Sequence, residues 1–285
     1  MESRSKFGVL GAGAVGASLI GRLPSKAREL GPVSAVSYRV ASRIANTLRA
    51  GYPVRTANEL GQVRGVLVHS PPEHLETLLG MLGSAEIEWK GKALVFCDCA
   101  ASHEVVRYFR ARGASIAVAR QFGIPGHLVV EGDEGAGLRT ARRIARELRM
   151  PAVEISPGSG DLFDAAVTLG SAAITPLIDR AATLLRGAGI GDPEAARIAS
   201  SLFEQTARDY ARSGRQSWTW HVRKPPVVTL EAQITSAGPE LEPVLRQLLV
   251  FGFETFHKHR EAGEELAPTE KAQAKTPTPL AGLVE

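Results

Sequence analysis

The chain has 285 residues, of which 44% are hydrophobic and 22% are charged, so it has enough apolar material for one sizeable core and a second. This length predicts about two domains. The formal net charge is +4, but the arginines are spread along the chain, so the charge does not favour nucleic acid as a partner. No uninterrupted apolar run approaches the roughly 20 residues that span a bilayer, so no membrane association is expected.

Two features predict a cytoplasmic protein. The first residues, Met1–Lys6, run directly into a strand-like segment without the apolar region and cleavage site of a signal peptide. Cys97 and Cys99 are separated by one residue in a predicted strand, where alternate side chains run parallel along one face and a disulfide is geometrically awkward. Free thiols are typical of a reducing compartment.

Residues 6–155 alternate short apolar runs with helix-like segments, the pattern of a parallel sheet covered on both faces. The predicted strands are 6–10, 33–38, 64–69, 92–97, 114–118, 127–131 and 152–155. The predicted helices are 40–49, 72–83, 101–112 and 134–149. Pro24 interrupts the first crossover helix, so we expect that helix to end near Leu23 and an extra turn to follow over 25–31.

A glycine-rich turn at the start of the chain carries the most information about function. It has the spacing G-x-G-x-x-G, follows the first predicted strand and opens a helix; its residues are Gly11, Ala12, Gly13, Ala14, Val15 and Gly16. In this context the first glycine forms the tight turn, the second lets backbone amides approach a pyrophosphate, and the third permits close packing of the helix. A glycine-rich turn without a nucleotide is the alternative.

The end of the second predicted strand indicates which dinucleotide would bind. NAD-binding proteins place an acidic residue there for the ribose hydroxyls, but this chain has no acid between Glu29 and Glu59. The segment instead contains Ser37, Tyr38, Arg39 and Arg43. Arginines can donate charge-assisted hydrogen bonds to a 2′-phosphate, and Tyr38 or an arginine can stack on adenine. NADP is therefore favoured over NAD, with ordinary surface charge as the alternative for each arginine.

Two later loops are expected beside the nicotinamide, because ligands of open α/β sheets bind at the carboxyl ends of the strands. Ser70 and Pro71 follow one strand, and Asp98 follows the next. His69 and Asp98 are also candidates for proton chemistry, although a buried histidine and a helix-capping aspartate are the favoured roles. Two cysteines are too few for a zinc site, and no metal is expected.

After residue 157 the alternation gives way to long helical patterns. We expect a Rossmann-type NADP-binding domain over 1–157, an all-helical domain over 158–262 and a disordered tail over 263–285. One helix from about 160 to 186 carries Asp164, Thr168, Ser171, Thr175 and Asp179 roughly on one face, and Gly170 and Pro176 predict a kink there. A kinked helix lined by hydroxyls can form the wall of a pocket, or its small residues can simply permit close helix packing.

A loop around residues 213–226 is rich in chemically active side chains: Trp218, Trp220, His221 and Lys224. His221 or Lys224 would suit a proton donor or a carboxylate anchor beside an aromatic floor. Burial of at least one tryptophan at a dimer interface is the other interpretation, and it is slightly favoured.

These motifs together resemble pyrroline-5-carboxylate reductases and their uncharacterised Rossmann-like relatives with a helical carboxyl-terminal domain. The resemblance covers about 6–260 and rests on 11–16, on 70–72, on 164–171 and on the Asp192–Pro193 helix start. It implies NADP as cofactor and a homodimer formed through the helical domain. The segments 168–171 and 223–229 depart from the kink and the substrate loop of the proline-pathway enzymes, so pyrroline-5-carboxylate itself is not the favoured substrate.

The sequence thus predicts an NADP-dependent oxidoreductase that transfers hydride to or from a small ketone or imine bound between two domains. Thr168, Ser171, His221 and Lys224 are the predicted catalytic residues. A non-catalytic NADP-binding sensor or a structural dimer is the alternative, because no residue stands out as an indispensable acid or base.

Overall fold

A computed structural model describes residues 6–99, 101–121, 126–218 and 227–261. The chain forms two compact units, which meet in sequence between Gly170 and Ser171. The first unit contains an eight-stranded sheet with the strand order β3-β2-β1-β4-β5-β6-β7-β8. Neighbouring strands are parallel except for β6 and β7, which are antiparallel. The predicted doubly wound, mainly parallel Rossmann-type sheet is confirmed.

The strands and helices of the first unit follow one another in the expected alternation. The strands are β1 Phe7–Gly11, β2 Leu30–Ser34, β3 Tyr52–Pro53, β4 Gly65–His69, β5 Ala93–Cys97, β6 Ser115–Arg120, β7 Leu128–Gly132 and β8 Ala152–Ile155. The helices are α1 Leu19–Arg22, α2 Lys26–Glu29, α3 Tyr38–Leu48, α4 Pro72–Gly83, α5 His103–Ala111, α6 Ala136–Glu147 and α7 Gly160–Gly170.

The predicted position of the second strand, 33–38, is wrong. The strand β2 begins at Leu30 and ends at Ser34, because Ser37 accepts a hydrogen bond from the Val40 amide and so caps α3. Pro32 lies inside β2 although proline cannot donate to a sheet. The register with β1 shifts at this point, where Phe7 pairs with Leu30 but Val9 pairs with Val33, and this irregularity accommodates the proline.

The first crossover helix ends near Leu23, as Pro24 predicts. The short helix α1 ends at Arg22, and the extra turn forms as α2. The glycine turn, however, does not open one continuous helix as the sequence predicts. It leads into a short 3₁₀ helix over Val15–Ala17, and Ser18 then caps the four-residue α1 with its hydroxyl oxygen.

Two apolar clusters cover the two faces of the sheet, since alternate strand residues point to opposite sides. Val9 and Val95 belong to the cluster that contains the buried faces of α3 and α6. Leu10 and Phe96 belong to the other, which contains α4 and Phe109 of α5. The sheet is therefore buried on both faces, as parallel sheets require, and its strand ends remain for ligand contacts.

Within the described residues, the second unit forms helices only. They are α8 Ile174–Gly187, α9 Asp192–Ser213, α10 Val227–Ser236 and α11 Glu242–Glu261, together with a turn of helix over 216–218. Residues 171–173 form a turn between α7 and α8 and so break the predicted long helix at its polar stripe. Pro176 explains the break, because it cannot donate a backbone hydrogen bond to Ala172.

The stretch Gly160–Gly187 is long and apolar enough to cross a membrane by length and composition alone, with a mean hydropathy of 1.3 over its most apolar window. None of that window is buried. Asp164, Asp179 and Arg180 interrupt the apolar run, so the sequence does not predict a membrane span there.

A network of ion pairs connects α2, the extra turn after Pro24, with α6. The carboxylate of Glu29, whose side chain is only 13% exposed, accepts hydrogen bonds from Arg143 and Lys6. Arg143 also donates to Glu147, which in turn accepts from the Ser25 hydroxyl. Burial acts to raise the pKa of Glu29, but the hydrogen bonds from Arg143 and Lys6 outweigh it and lower that pKa below 4.5.

Replacing Arg143 with methionine should therefore lower the free energy of unfolding by about 1–3 kcal/mol at neutral pH, since it leaves Glu29 without its main partner. Exposed Arg139 on the same helix provides the matched control, and Arg139→Met should have little effect. A carboxylate with a lowered pKa contributes stability above its unfolded pKa and loses it as pH falls. The difference between Arg143→Met and wild type, measured by urea unfolding, should shrink below pH 4.5; equal stability at neutral pH would contradict the assignment.

Candidate functional site

The glycine turn lies at the carboxyl end of β1, next to the carboxyl end of β4. Gly11 pairs with His69 in the sheet, and the Ala12 amide donates to the His69 carbonyl at 3.0 Å. Gly13 has a φ of +68°, a conformation that favours glycine, and a Cβ there would lie 3.0 Å from Cδ of Pro71. Gly13 and Ala14 are exposed, so the backbone of the turn is open to a ligand.

The third glycine packs against a different element from the one expected. A Cβ on Gly16 would lie 2.6 Å from Cγ2 of Thr47, so this glycine permits close contact with α3. Val15 is buried and holds the turn in the core. The three glycines thus serve a tight, exposed turn, which is the requirement for backbone contact with a pyrophosphate.

Asp98 connects two elements at the carboxyl edge of the sheet, the start of α1 and the residue after β6. It follows β5 with a φ of +56°, a region that non-glycine residues rarely occupy. Its carboxylate accepts hydrogen bonds from the Leu19 amide at 3.0 Å and from the Gln121 amide at 3.2 Å. The predicted role of Asp98 as a helix N-cap is wrong, because Ser102 caps the following helix α5 and Ser18 caps α1, where Asp98 accepts from the first helical amide. The predicted contact of Asp98 with cofactor stays a prediction.

The loop after β4 is fixed by its own hydrogen bonds. The Nδ1 atom of His69 lies 2.8 Å from the Cys97 carbonyl, which can only accept, so Nδ1 carries a proton. Ser70 is buried and donates its hydroxyl to the Pro71 carbonyl. Pro71 contacts the glycine turn, so this loop forms one wall of the predicted cofactor site.

A basic and aromatic surface lies beyond the carboxyl end of β2. Tyr38 and Arg39 form the first turn of α3, and Arg43 follows one turn later; all three are exposed. Arg55, which follows β3, places its guanidinium 4.8 Å from the centre of the Tyr38 ring. Within the described ranges, neither Arg39 nor Arg43 pairs with a carboxylate. These positive charges are therefore available to an anion.

Sequence reasoning missed Arg55, because β3 has only two residues and gives no periodic signal. The lack of acids before Glu59 pointed to this region, but only the fold brings Arg55 beside Tyr38.

A partly buried ion pair lies at the carboxyl end of β6. Nη1 of Arg120 donates to Oδ2 of Asp164 on α7 at 2.7 Å, and the two side chains are 11% and 41% exposed. The Phe163 ring lies 5.8 Å from the guanidinium. Nε of Arg120 and Oδ1 of Asp164 are buried, and neither has a hydrogen-bond partner in the described part of the chain. Most buried side-chain polar atoms have a hydrogen-bond partner, so these two atoms are exceptions.

The joint role of the four predicted catalytic residues stays a prediction. Thr168 lies exposed on α7, and Ser171 is an exposed turn residue whose carbonyl accepts from Thr175. His221, Lys224 and Trp220 lie outside the described residues. Trp218 packs inside the second unit, where its indole meets the Phe253 ring edge-on at 6.1 Å.

The two thiols are poor nucleophiles. Burial raises the pKa of Cys97 well above its usual value and that of Cys99 to about 11. Both cysteines are free, in agreement with the predicted absence of a disulfide. Among the described residues, no group of three or more histidine, cysteine or acidic side chains is placed to hold a metal.

The chain shares its fold, a Rossmann-type sheet followed by helices, with solved structures of low sequence identity. An imine reductase from Myxococcus stipitatus, a V8 variant in complex with NAD+, is 16% identical; the match covers 89% of this chain and 88% of that one, with a TM-score of 0.58. A reductive aminase from Aspergillus terreus, in complex with NADPH and ethyl levulinate, is 14% identical over 88% of this chain and 94% of that one, also with a TM-score of 0.58.

A pyrroline-5-carboxylate reductase from Coxiella burnetii is 12% identical over 92% of this chain and all (100%) of that one, with a TM-score of 0.51. The resemblance inferred from the sequence is thus confirmed at the level of the fold. A family model described as a domain of unknown function (DUF2520) matches residues 127–249. Comparison with the curated proteins gave no significant match.

The Asp98 contacts predict a measurable effect. Asp98→Ala removes the acceptor of two backbone amides and should lower the free energy of unfolding by about 1–3 kcal/mol in urea titrations. Asp98→Asn keeps one acceptor oxygen and a residue that tolerates positive φ, so its loss should be smaller. An alanine variant as stable as wild type would mean that the carboxylate does not connect these strand ends.

Proposed function

We propose that the chain is an NADP-dependent oxidoreductase that transfers hydride to or from a small imine or ketone. The observation that carries the proposal is the open glycine turn at the end of β1, with arginines beyond the end of β2. An exposed turn whose second glycine has positive φ and stands against Pro71 fits the pyrophosphate of a dinucleotide. When bound, the cofactor supplies or accepts the hydride.

The adenosine end of the cofactor would lie over Tyr38 and the arginines. A 2′-phosphate adds negative charge that Arg39, Arg43 and Arg55 can balance, while an acid that would repel it is lacking at this position. Tyr38 offers a face for adenine. These residues support NADP over NAD.

The nicotinamide end would lie toward the carboxyl ends of β4, β5 and β6. His69 lies at this edge with its Nδ1 hydrogen-bonded to the Cys97 carbonyl, and Asp98 accepts two amides there. The solved structures with similar folds include proteins named imine reductase and reductive aminase, and this supports a carbon–nitrogen double bond as the reacting group.

A non-catalytic NADP-binding protein is the second candidate, and one observation favours it. The two predicted catalytic residues that the structure describes, Thr168 and Ser171, are both exposed, and no residue stands out as an indispensable acid or base. Turnover decides between the candidates.

The catalytic proposal is tested by following NADPH oxidation with a panel of cyclic imines and the corresponding ketones. Oxidation that depends on the imine supports it. Binding of NADPH without oxidation by any member of the panel would instead support the sensor.

Reversing the charge at Arg39 should weaken NADPH binding by about tenfold or more, because one charge-assisted contact with the 2′-phosphate becomes repulsive. NADH lacks that phosphate, so its dissociation constant should change little. Isothermal titration calorimetry of Arg39→Glu measures both values, and Arg107→Glu on the exposed face of α5 is the matched control. Equal weakening by the two variants would argue against a local phosphate pocket.

The homodimer expected from the sequence is also proposed, through the helical unit. Apolar residues there are exposed, including Leu184, Leu202, Leu248 and Phe251 at 40%, 56%, 42% and 67%. Within α8, Ala182 alone is buried. Apolar surface of this extent is typical of an interface between subunits.

Sedimentation velocity should therefore show a dimer for the wild type and a monomer for the double variant Leu202→Glu and Phe251→Glu. Arg208→Gln, an exposed change on α9, should leave the dimer intact. A monomeric wild type at micromolar concentration would contradict the proposal.

A further inference from the structure

The side chains of Arg55 and Tyr38 form an exposed pair at the carboxyl edge of the sheet. The Arg55 guanidinium lies over the Tyr38 ring, 4.8 Å from the centre of the ring. Both residues are exposed, and 46% of the surface of Tyr38 is accessible to solvent. At an exposed site, a contact between a cation and an aromatic ring changes an equilibrium constant by only about two- to fivefold. A planar ligand can therefore replace the guanidinium on this ring at a small cost.

The two residues come from neighbouring strand ends. Tyr38 is the first residue of α3, which follows β2, and Arg55 is the second residue after β3. The Arg55 amide donates to Oε1 of Glu59 at 3.3 Å, and this bond holds the backbone of Arg55. Among the residues that the structure describes, no carboxylate pairs with the Arg55 guanidinium. The side chain of Arg55 can therefore move while its backbone stays in place.

The adenosine end of the proposed cofactor would lie at these two residues. The strands β2 and β3 lie on one side of β1, and a dinucleotide bound at the glycine turn reaches the end of β2 with its adenosine. An adenine ring between Tyr38 and Arg55 would require a separation of about 7–8 Å, because stacked atoms lie about 3.5–4.0 Å apart. The observed distance is 4.8 Å. Adenine and the guanidinium therefore compete for this face of Tyr38.

The result of this competition depends on the 2′-phosphate. When NADH binds, the displaced guanidinium loses the Tyr38 ring and gains no anion at the adenosine end. When NADPH binds, the guanidinium can donate charge-assisted hydrogen bonds to the 2′-phosphate, and these are about twice as strong as neutral ones. Specificity is a difference between two affinities, and a penalty on the wrong ligand increases it as much as a new contact with the right one.

We propose that Arg55 selects NADPH over NADH by covering the face of Tyr38 that adenine occupies. Adenine displaces the guanidinium, and only a 2′-phosphate provides the guanidinium with a new partner. The proposal rests on the proposed function. To the phosphate contacts expected of Arg39 and Arg43 it adds a penalty on the cofactor that lacks the phosphate.

The experiment is a calorimetric titration of the full chain with NADPH and with NADH, for the wild type and for Arg55→Ala. We expect Arg55→Ala to bind NADH about two- to fivefold more tightly, because adenine no longer has to displace the guanidinium. The same variant should bind NADPH about threefold or more weakly, because a charge-assisted hydrogen bond is lost. The ratio of the two dissociation constants therefore changes through both nucleotides.

Two further variants make the result specific. Tyr38→Leu removes the ring that Arg55 covers, so in this background Arg55→Ala should no longer tighten NADH binding but should still weaken NADPH binding. Arg107→Ala, on the exposed face of α5, is the matched control and should leave both dissociation constants unchanged.

The outcomes separate this inference from the proposed function. A wild-type protein that binds neither nucleotide would overturn both. If the wild type binds NADPH, weaker binding of both nucleotides by Arg55→Ala would make Arg55 a stacking partner of adenine. Weaker NADPH binding with unchanged NADH binding would make it an ordinary phosphate contact. Either result, or a tightening of NADH binding that persists in Tyr38→Leu, would overturn the inference and leave the cofactor site intact.

Discussion

The carboxylate of Asp98 is the interaction on which the rest of the site depends. It accepts one amide from the start of α1 and another from the residue after β6, so it connects the segment after the glycine turn with the far end of the parallel part of the sheet. The first amides of a helix have no acceptor within the helix unless a side chain supplies one. Asp98 supplies it from a residue with positive φ and so connects the ends of β5 and β6 with the start of α1.

That arrangement defines one continuous edge. The glycine turn contacts Pro71, and His69 is hydrogen-bonded to the Cys97 carbonyl. Arg120, the last residue of β6, lies at the far end of this edge. The edge is basic near Tyr38, where Arg39, Arg43 and Arg55 lie. A dinucleotide with a 2′-phosphate at that end matches this charge.

Part of this was predictable from the sequence, and the physical reasons for success and failure differ by residue. The buried strands were predictable because burial on both faces leaves a near-continuous apolar run of strand length. The helix α4 was predictable from the helical spacing of its apolar residues. The second strand was predicted too far along the chain because Gly31 and Pro32 are typical of a turn. In the structure both lie inside β2, and a register shift with β1 accommodates them. Arg55, Asp164 and the partners of Asp98 depend on contacts between residues far apart in the chain, and no local pattern encodes them. The roles assigned to Thr168, Ser171, His221 and Lys224 remain predictions.

The central claim is that NADPH binds along this edge through the glycine turn and the arginines near Tyr38. Hydrogen–deuterium exchange of the wild-type protein with NADPH, with NADH and without nucleotide tests place and preference together. The account predicts slower amide exchange with NADPH in residues 11–16 and 37–43, and weaker protection of 37–43 with NADH. Unchanged exchange in both segments, or protection confined to the helical unit, would contradict it.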